Sequence, residues 1–126
     1  MNFSNVLLVG LGGFLGSIAR FVASKSIDAK LNVIFPYGTL TVNIIGSFIL
    51  GLVYTLAIRK GDFPESWRLL IGAGFCGGFT TFSAFAWENL NLMQGKLLST
   101  SLLYVVISLV AGFIAVWSGA WFSRFL

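Results

Sequence analysis

Between Gly74 and Asn89 the chain reads Gly-Phe-Cys-Gly-Gly-Phe-Thr-Thr-Phe-Ser-Ala-Phe-Ala-Trp-Glu-Asn, inside a run otherwise suited to a membrane helix. Paired glycines, Gly77 and Gly78, precede paired threonines, Thr80 and Thr81, then Ser83, with rings at Phe79, Phe82 and Phe85. Glycine loses the most chain entropy on ordering, so the pair loosens a helix. Thr and Ser hydroxyls can bond the backbone groups that the loosening frees. Unwound backbone at membrane depth is tolerated only where protein buries it or where it lines a water-accessible path. The stretch therefore predicts a helix break that serves an ion pathway. The competing reading is a small-residue face for close helix packing.

Such a break offers two kinds of chemistry. Carbonyl oxygens are exposed where the first half-helix ends and N–H groups where the second begins. The carbonyls suit a small hard cation such as Na⁺, and the N–H end favours an anion. Phe82 and Phe85, at i and i+3, share a face. Aromatic ring edges carry the positive part of the quadrupole and attract an anion weakly. Thr81 and Ser83 beside them, with Asn43, Tyr104 and Ser108 on other segments, supply neutral donors. Against this stands simple packing of the rings on lipid or on another helix.

Several function classes are excluded by composition. Of 126 residues, 57% are hydrophobic and 10% charged, where a soluble domain carries about 25% charged residues. Mean hydropathy is +0.93. The chain reads as a single membrane-embedded unit, 1–126, with no room for a soluble domain. The net charge of +4 comes from eight Lys and Arg, mostly at segment ends where they anchor, so no nucleic-acid site is read. Histidine is absent, which removes the commonest proton shuttle. The lone Cys76 forms no internal disulfide and reads as a packing residue. No paired acids or reactive cysteine setting points to an enzyme. The N-terminus lacks a basic leader region, so its first apolar run is expected to stay as a membrane helix.

Four spans are expected to position the chemistry, at about 3–23, 37–58, 68–92 and 100–122. In the first, Gly12 and Gly16 form a G-x-x-x-G pair for close helix approach, and Arg20 lies one i+4 step further. That arginine either snorkels to the interface or has a functional partner. Lys25 to Lys30 reads as a polar connection. Pro36 opens the second span, where Asn43 must find partners, either as inter-helix glue or as a pore-lining donor. The segment Arg59–Arg68 is an interfacial loop with Trp67 in the aromatic belt. Asn91 to Ser99 reads as another short loop. Glu88 lies in the second half of the third span, toward one end, and no acid lies mid-span. The fourth span carries Tyr104, Ser108 and Gly112 on one face. The basic residues divide almost evenly between the two sides, Arg59, Lys60, Arg68 and Arg124 against Lys25, Lys30, Lys96 and the shallow Arg20. The positive-inside rule then sets no orientation. Oppositely oriented copies could pair about an axis in the membrane plane, reproducing an inverted-repeat architecture.

At Gly38-Thr39-Leu40-x-x-Asn43, with Gly77-Gly78-x-Thr80-Thr81-Phe82-Ser83-x-Phe85, the chain closely resembles the Fluc (CrcB) family of bacterial fluoride channels. The resemblance covers essentially the whole chain, including Ala19-Arg20 and Tyr104 with Ser108. It implies an all-α membrane protein of four transmembrane helices with a break in the third, assembled as an antiparallel dual-topology homodimer in the bacterial inner membrane. It also implies two fluoride pathways and a central structural Na⁺ held by the carbonyls of Gly77 and Thr80 from both subunits. Phe82 and Phe85 would be the fluoride-coordinating rings and Asn43 a pore donor. Thr81 and Ser83 would belong to a polar track, Tyr104 and Ser108 to the wall near the rings, and Glu88 to a vestibule. Arg20 is family-typical without an assigned role. Phe79 and Ala84 depart from the family pattern, where Leu and Thr or Ser are more usual. The expected function is passive, fluoride-selective export that lowers fluoride toxicity. The alternatives are a small dual-topology multidrug or cation exporter, which would want a deep carboxylate this chain lacks, and a non-transporting membrane assembly subunit.

Overall fold

Lipid offers the backbone no hydrogen-bond partner, so each apolar run must close its own bonds as a helix. The computed structural model describes residues 1–126 and contains only helices and the turns between them. In order these are α1 (Phe3–Leu31), α2 (Tyr37–Arg59), α3 (Glu65–Trp67), a π-helix (Arg68–Cys76), α4 (Gly77–Phe79), α5 (Phe82–Gln94) and α6 (Leu98–Phe122), with a closing 3-10 turn. Four stretches, Phe3–Leu31, Tyr37–Arg59, Glu65–Gln94 and Leu98–Phe125, are long and apolar enough to cross a membrane. The chain is an all-α, multi-pass membrane protein.

Glycine decides which helices touch. A Cβ on Gly12 would overlap the Leu70 carbonyl oxygen, and one on Gly16 the Phe75 carbonyl oxygen. The G-x-x-x-G face of α1 therefore lies directly against the π-helix. Across the bundle, Gly51 of α2 meets the Val116 carbonyl, and Gly119 of α6 meets the Phe48 carbonyl. These contacts make α2 with α6, and α1 with the π-helix and α4, the two principal packing pairs. Large side chains point outward instead: Phe14, Phe113 and Trp117 are exposed, as the lipid-facing side of a bundle requires.

Two connections differ from the sequence-based expectation. The segment Lys25–Lys30 is not a connection but the last turns of α1, which ends at Asn32 in the left-handed region (φ 49°). No Gly or Pro interrupts it, so loss of apolar character ends the membrane contact without ending the hydrogen bonding. The overhang has a use. Asp28 Oδ1 accepts the Gly38 N–H at 2.9 Å, capping α2, whose N-cap Pro36 provides no side-chain cap. The second loop is also shorter than 91–99, because α5 continues to Gln94 and α6 starts at Leu98, with Lys96 at φ 63° in the turn.

Gly12→Ala is expected to destabilise the detergent-solubilised protein by about 1–3 kcal/mol, because its methyl meets fixed backbone. Gly10→Ala, with nothing within 4 Å of the new methyl, is expected to melt at or slightly above the parent temperature. Thermal melts of both variants check this.

Candidate functional site

α4 ends at Phe79, and the next two residues are extended, Thr80 at φ −90°, ψ 157° and Thr81 at φ −152°, ψ 122°. They stand near the middle of the 30-residue stretch Glu65–Gln94. Extended backbone at that depth must have its polar groups satisfied from outside the helix. Asn43 of α2 does this for Thr81 twice over. Its Oδ1 accepts the Thr81 N–H at 2.8 Å, and its Nδ2 donates to the Thr81 carbonyl at 3.1 Å. The Thr81 hydroxyl in turn accepts the Ala84 N–H at 3.1 Å, capping α5. At the other end, Arg20 of α1 donates through Nε to the Gly78 carbonyl at 2.9 Å. A cation there meets the negative end of the first half-helix. Arg20 is only half-buried, so it combines an internal bond with the reach of a long side chain.

The carbonyls of Gly77 and Thr80 stay uncommitted. The Thr80 carbonyl accepts no backbone or side-chain donor, and the amides of Thr80 and Thr81 go to Cys76 and Asn43, not to Gly77. Nothing lies within 4 Å of where a Cβ on Gly77 would stand. Both residues line an open groove of about 450 Å³ that Asn43, Thr81, Phe82, Phe85 and Ser108 also line. Free carbonyl oxygens beside open space fit a hard cation, whose ligands are oxygens. One chain supplies two of them, fewer than such an ion takes.

Along the same groove the aromatic residues form a row. The Phe82 and Phe85 ring centroids are 5.8 Å apart and tilted by 47°, and Phe85 stands 5.0 Å from Tyr104. Phe82 is 79% exposed and projects from the molecule, whereas Tyr104 is fully buried. The Ser108 hydroxyl is buried with no hydrogen-bond partner. Ser83 lies on the exposed side, its hydroxyl 3.3 Å from that of Thr81. Asn43 has spent one of its two N–H donors on Thr81 and retains the other.

Glu88 does not join that row. Its carboxylate accepts the Thr39 hydroxyl at 2.6 Å and the Tyr104 hydroxyl at 2.8 Å, joining α2, α5 and α6. The Tyr104 proton is thereby committed, and what Tyr104 presents to Phe85 is a ring. Glu88 also lines a separate recess of about 220 Å³ with Ile34, Pro36 and Leu97 at one end of the bundle.

Sequence reading misses four partners. Thr39 is read from sequence only as part of the Gly38-Thr39-Leu40-x-x-Asn43 motif, although its i, i+4 spacing to Asn43 places both on one face of α2. Asn89 and Ser101, joined at 2.7 Å, were not singled out. Ser101, Tyr104 and Ser108 share one stripe of α6, which is the signal that could have exposed Ser101. Asp28 gave no sequence signal, because its target is a backbone amide ten residues away.

A family model described as CrcB-like protein, Camphor Resistance (CrcB), matches residues 7–120. Among curated proteins, the chain is similar to the fluoride-specific ion channel FluC of Leptospira interrogans, 39% identical over 125 residues, covering 98% of each chain. It is 41% identical over 123 residues to the protein of that name from Chlorobium chlorochromatii, covering 98% of this chain and 95% of that one. To the one from Gloeothece citriformis it is 46% identical over 119 residues, covering 94% and 96%.

Asn43→Leu strands the Thr81 N–H and carbonyl together. The expected loss is about 1–3 kcal/mol for each stranded group, with faster amide hydrogen exchange at Thr81 than in α2. Exchange mass spectrometry of the detergent-solubilised protein reads both effects.

Proposed function

Because this chain belongs to the Fluc (CrcB) family, an ion-channel family and not an enzyme one, we propose that it is a passive, fluoride-selective channel of the bacterial inner membrane. Fluoride enters a cell as neutral HF, ionises inside and is trapped. An anion pore lets it leave down the inside-negative potential, which acts at about 2.3 kcal/mol per charge per 100 mV. Export in this form lowers fluoride toxicity without a coupled ion.

The observation that carries the reading is the groove itself. Asn43, Phe82, Phe85 and Ser108, whose hydroxyl has no partner, line it, next to the extended Thr80–Thr81 pair. We read that pair as a functional helix break. A dehydrating fluoride would meet the spare N–H of Asn43, the Ser108 hydroxyl and the positive edges of the two rings in turn. Thr81 and Ser83 extend a hydroxyl track beside them, and Glu88 stands in the vestibule. Selection against chloride comes from donors close enough to replace the tight hydration shell of the smaller ion. Each donor is neutral, so the ion is not held too strongly to leave.

The second part of the proposal is the assembly. Phe82 is 79% exposed and the groove is open, so one chain supplies only part of a pore wall. An antiparallel second copy supplies the rest, giving two pathways per homodimer. The almost even division of flanking Lys and Arg supports insertion in both orientations. Gly77 and Thr80 carbonyls from both copies would hold a structural Na⁺ between them, which supplies a fixed positive charge and a tie between subunits.

Two measurements test this. Liposomes holding the purified protein, clamped with a potassium ionophore, should lose fluoride fast and chloride slowly. Phe82→Ala and Asn43→Ala should each slow fluoride loss by tenfold or more, the scale of one lost close contact at about 1.4 kcal/mol. Unchanged fluoride flux in both would discard the assigned pathway. Separately, melting temperature in detergent should rise with the logarithm of Na⁺ concentration, because an ion bound only by the folded dimer stabilises it by mass action. Equal response to a bulky organic cation would discard the carbonyl site.

A further inference from the structure

The half-helix that carries both rings is held with little packing. Of the 13 residues of α5, only Asn89 and Leu92 are buried. Its N-terminal end is tied to α2 through Thr81 and Asn43, but that tie sits on the extended pair and not on the helix body. A helix so lightly buried needs directional contacts to fix its rotation, since apolar contact alone tolerates sliding and turning.

Ser101 and Asn89 provide such a contact. The Ser101 hydroxyl donates to Asn89 Oδ1 at 2.7 Å, and Asn89 Nδ2 donates to the Phe85 carbonyl at 2.9 Å. Both residues are nearly sealed, at 3% and 6% exposed. The relay therefore runs from α6 to the main chain of Phe85 itself. Tyr104, one turn beyond Ser101 on the same face of α6, contacts the Phe85 ring at 5.0 Å and bonds Glu88. Residue 85 is thus gripped from one helix face at its carbonyl and at its ring.

We propose that Ser101 and Asn89 are positioning residues, which set the rotation of α5 and with it the placement of the Phe85 ring in the ion groove. Its consequence for conduction rests on the channel reading above, while its geometry does not. The competing account is a buried polar pair that is merely satisfied and contributes stability alone. The two accounts separate on a hydroxyl. Thr and Val have nearly the same shape, so Ser101→Thr and Ser101→Val differ chiefly in whether a donor reaches Asn89.

The full-length protein is reconstituted for flux. A parallel sample carries 4-fluorophenylalanine at position 85, read by fluorine NMR in detergent. Ser101→Thr should keep the fluoride efflux and the ring resonance of the parent. Ser101→Val should lower fluoride efflux by about tenfold, the scale of one lost buried hydrogen bond, and should shift or split the ring resonance. If Ser101→Val does not fold, the double variant Asn89→Leu, Ser101→Val, which leaves neither partner stranded, takes its place with the same expectation. Thr and Val variants alike in both readouts would overturn the proposal, as would a double variant that conducts and resonates like the parent. Parent protein that conducts no fluoride, with a resonance that still moves only when the hydroxyl is lost, would overturn the channel reading and keep the positioning role.

Discussion

Two hydrogen bonds between one side chain and the main chain of one residue make the middle of this molecule possible. In lipid, a residue taken out of a helix leaves a donor and an acceptor with no water to receive them. Asn43 meets both needs of Thr81 at once, presenting an acceptor and a donor in the arrangement that a neighbouring β-strand would offer. The chain can then be extended at Thr80 and Thr81 without paying the full desolvation penalty, and a second helix can begin at Phe82. The features at the groove follow from that permission: the uncommitted carbonyls of Gly77 and Thr80, a freshly capped helix from Phe82, and rings projecting from its first turn.

Further polar pairs tie the flanking helices to the same segment. Arg20 on α1 covers the carbonyl at the end of the first half-helix. Thr39 on α2 and Tyr104 on α6 converge on Glu88 of α5, and Ser101 of α6 reaches Asn89 beside it. These polar groups are paired across helices, which is what a low-dielectric interior demands of them. Glycine works in the opposite sense. By removing side chains from α1, α2 and α6 it lets backbones meet and fills the bundle without polar contacts. Close approach and polar pairing together hold a molecule whose large side chains are mostly turned outward.

The exception stands out against this background. Ser108 has a buried hydroxyl without a partner, on a residue that lines the groove with Asn43, Phe82 and Phe85. A native interior seldom leaves such a group unbonded.

Much of this was legible in residue types and spacing. Runs of apolar residues of bilayer length determined four spanning helices, because only a helix can close its own bonds in lipid. The Gly-Gly-x-Thr-Thr stretch marked where helical order is weakest, and Asn43 was marked by the need of a buried amide for partners. Boundaries were legible only in part. The end of the apolar run placed the end of α1 several residues short of Leu31, because hydrophobicity reports the membrane and not the hydrogen-bond ladder. Which residue Asn43 would serve, which carbonyl Arg20 would cover, and that the Tyr104 hydroxyl would donate to Glu88 were decided by the tertiary structure alone. Those pairings join residues 38, 58 and 16 positions apart, and a spacing that long carries no periodic signal. The sequence alone determined that buried polar groups must be matched. Only the packing of helices, governed by where glycine lets backbones touch, decided with whom.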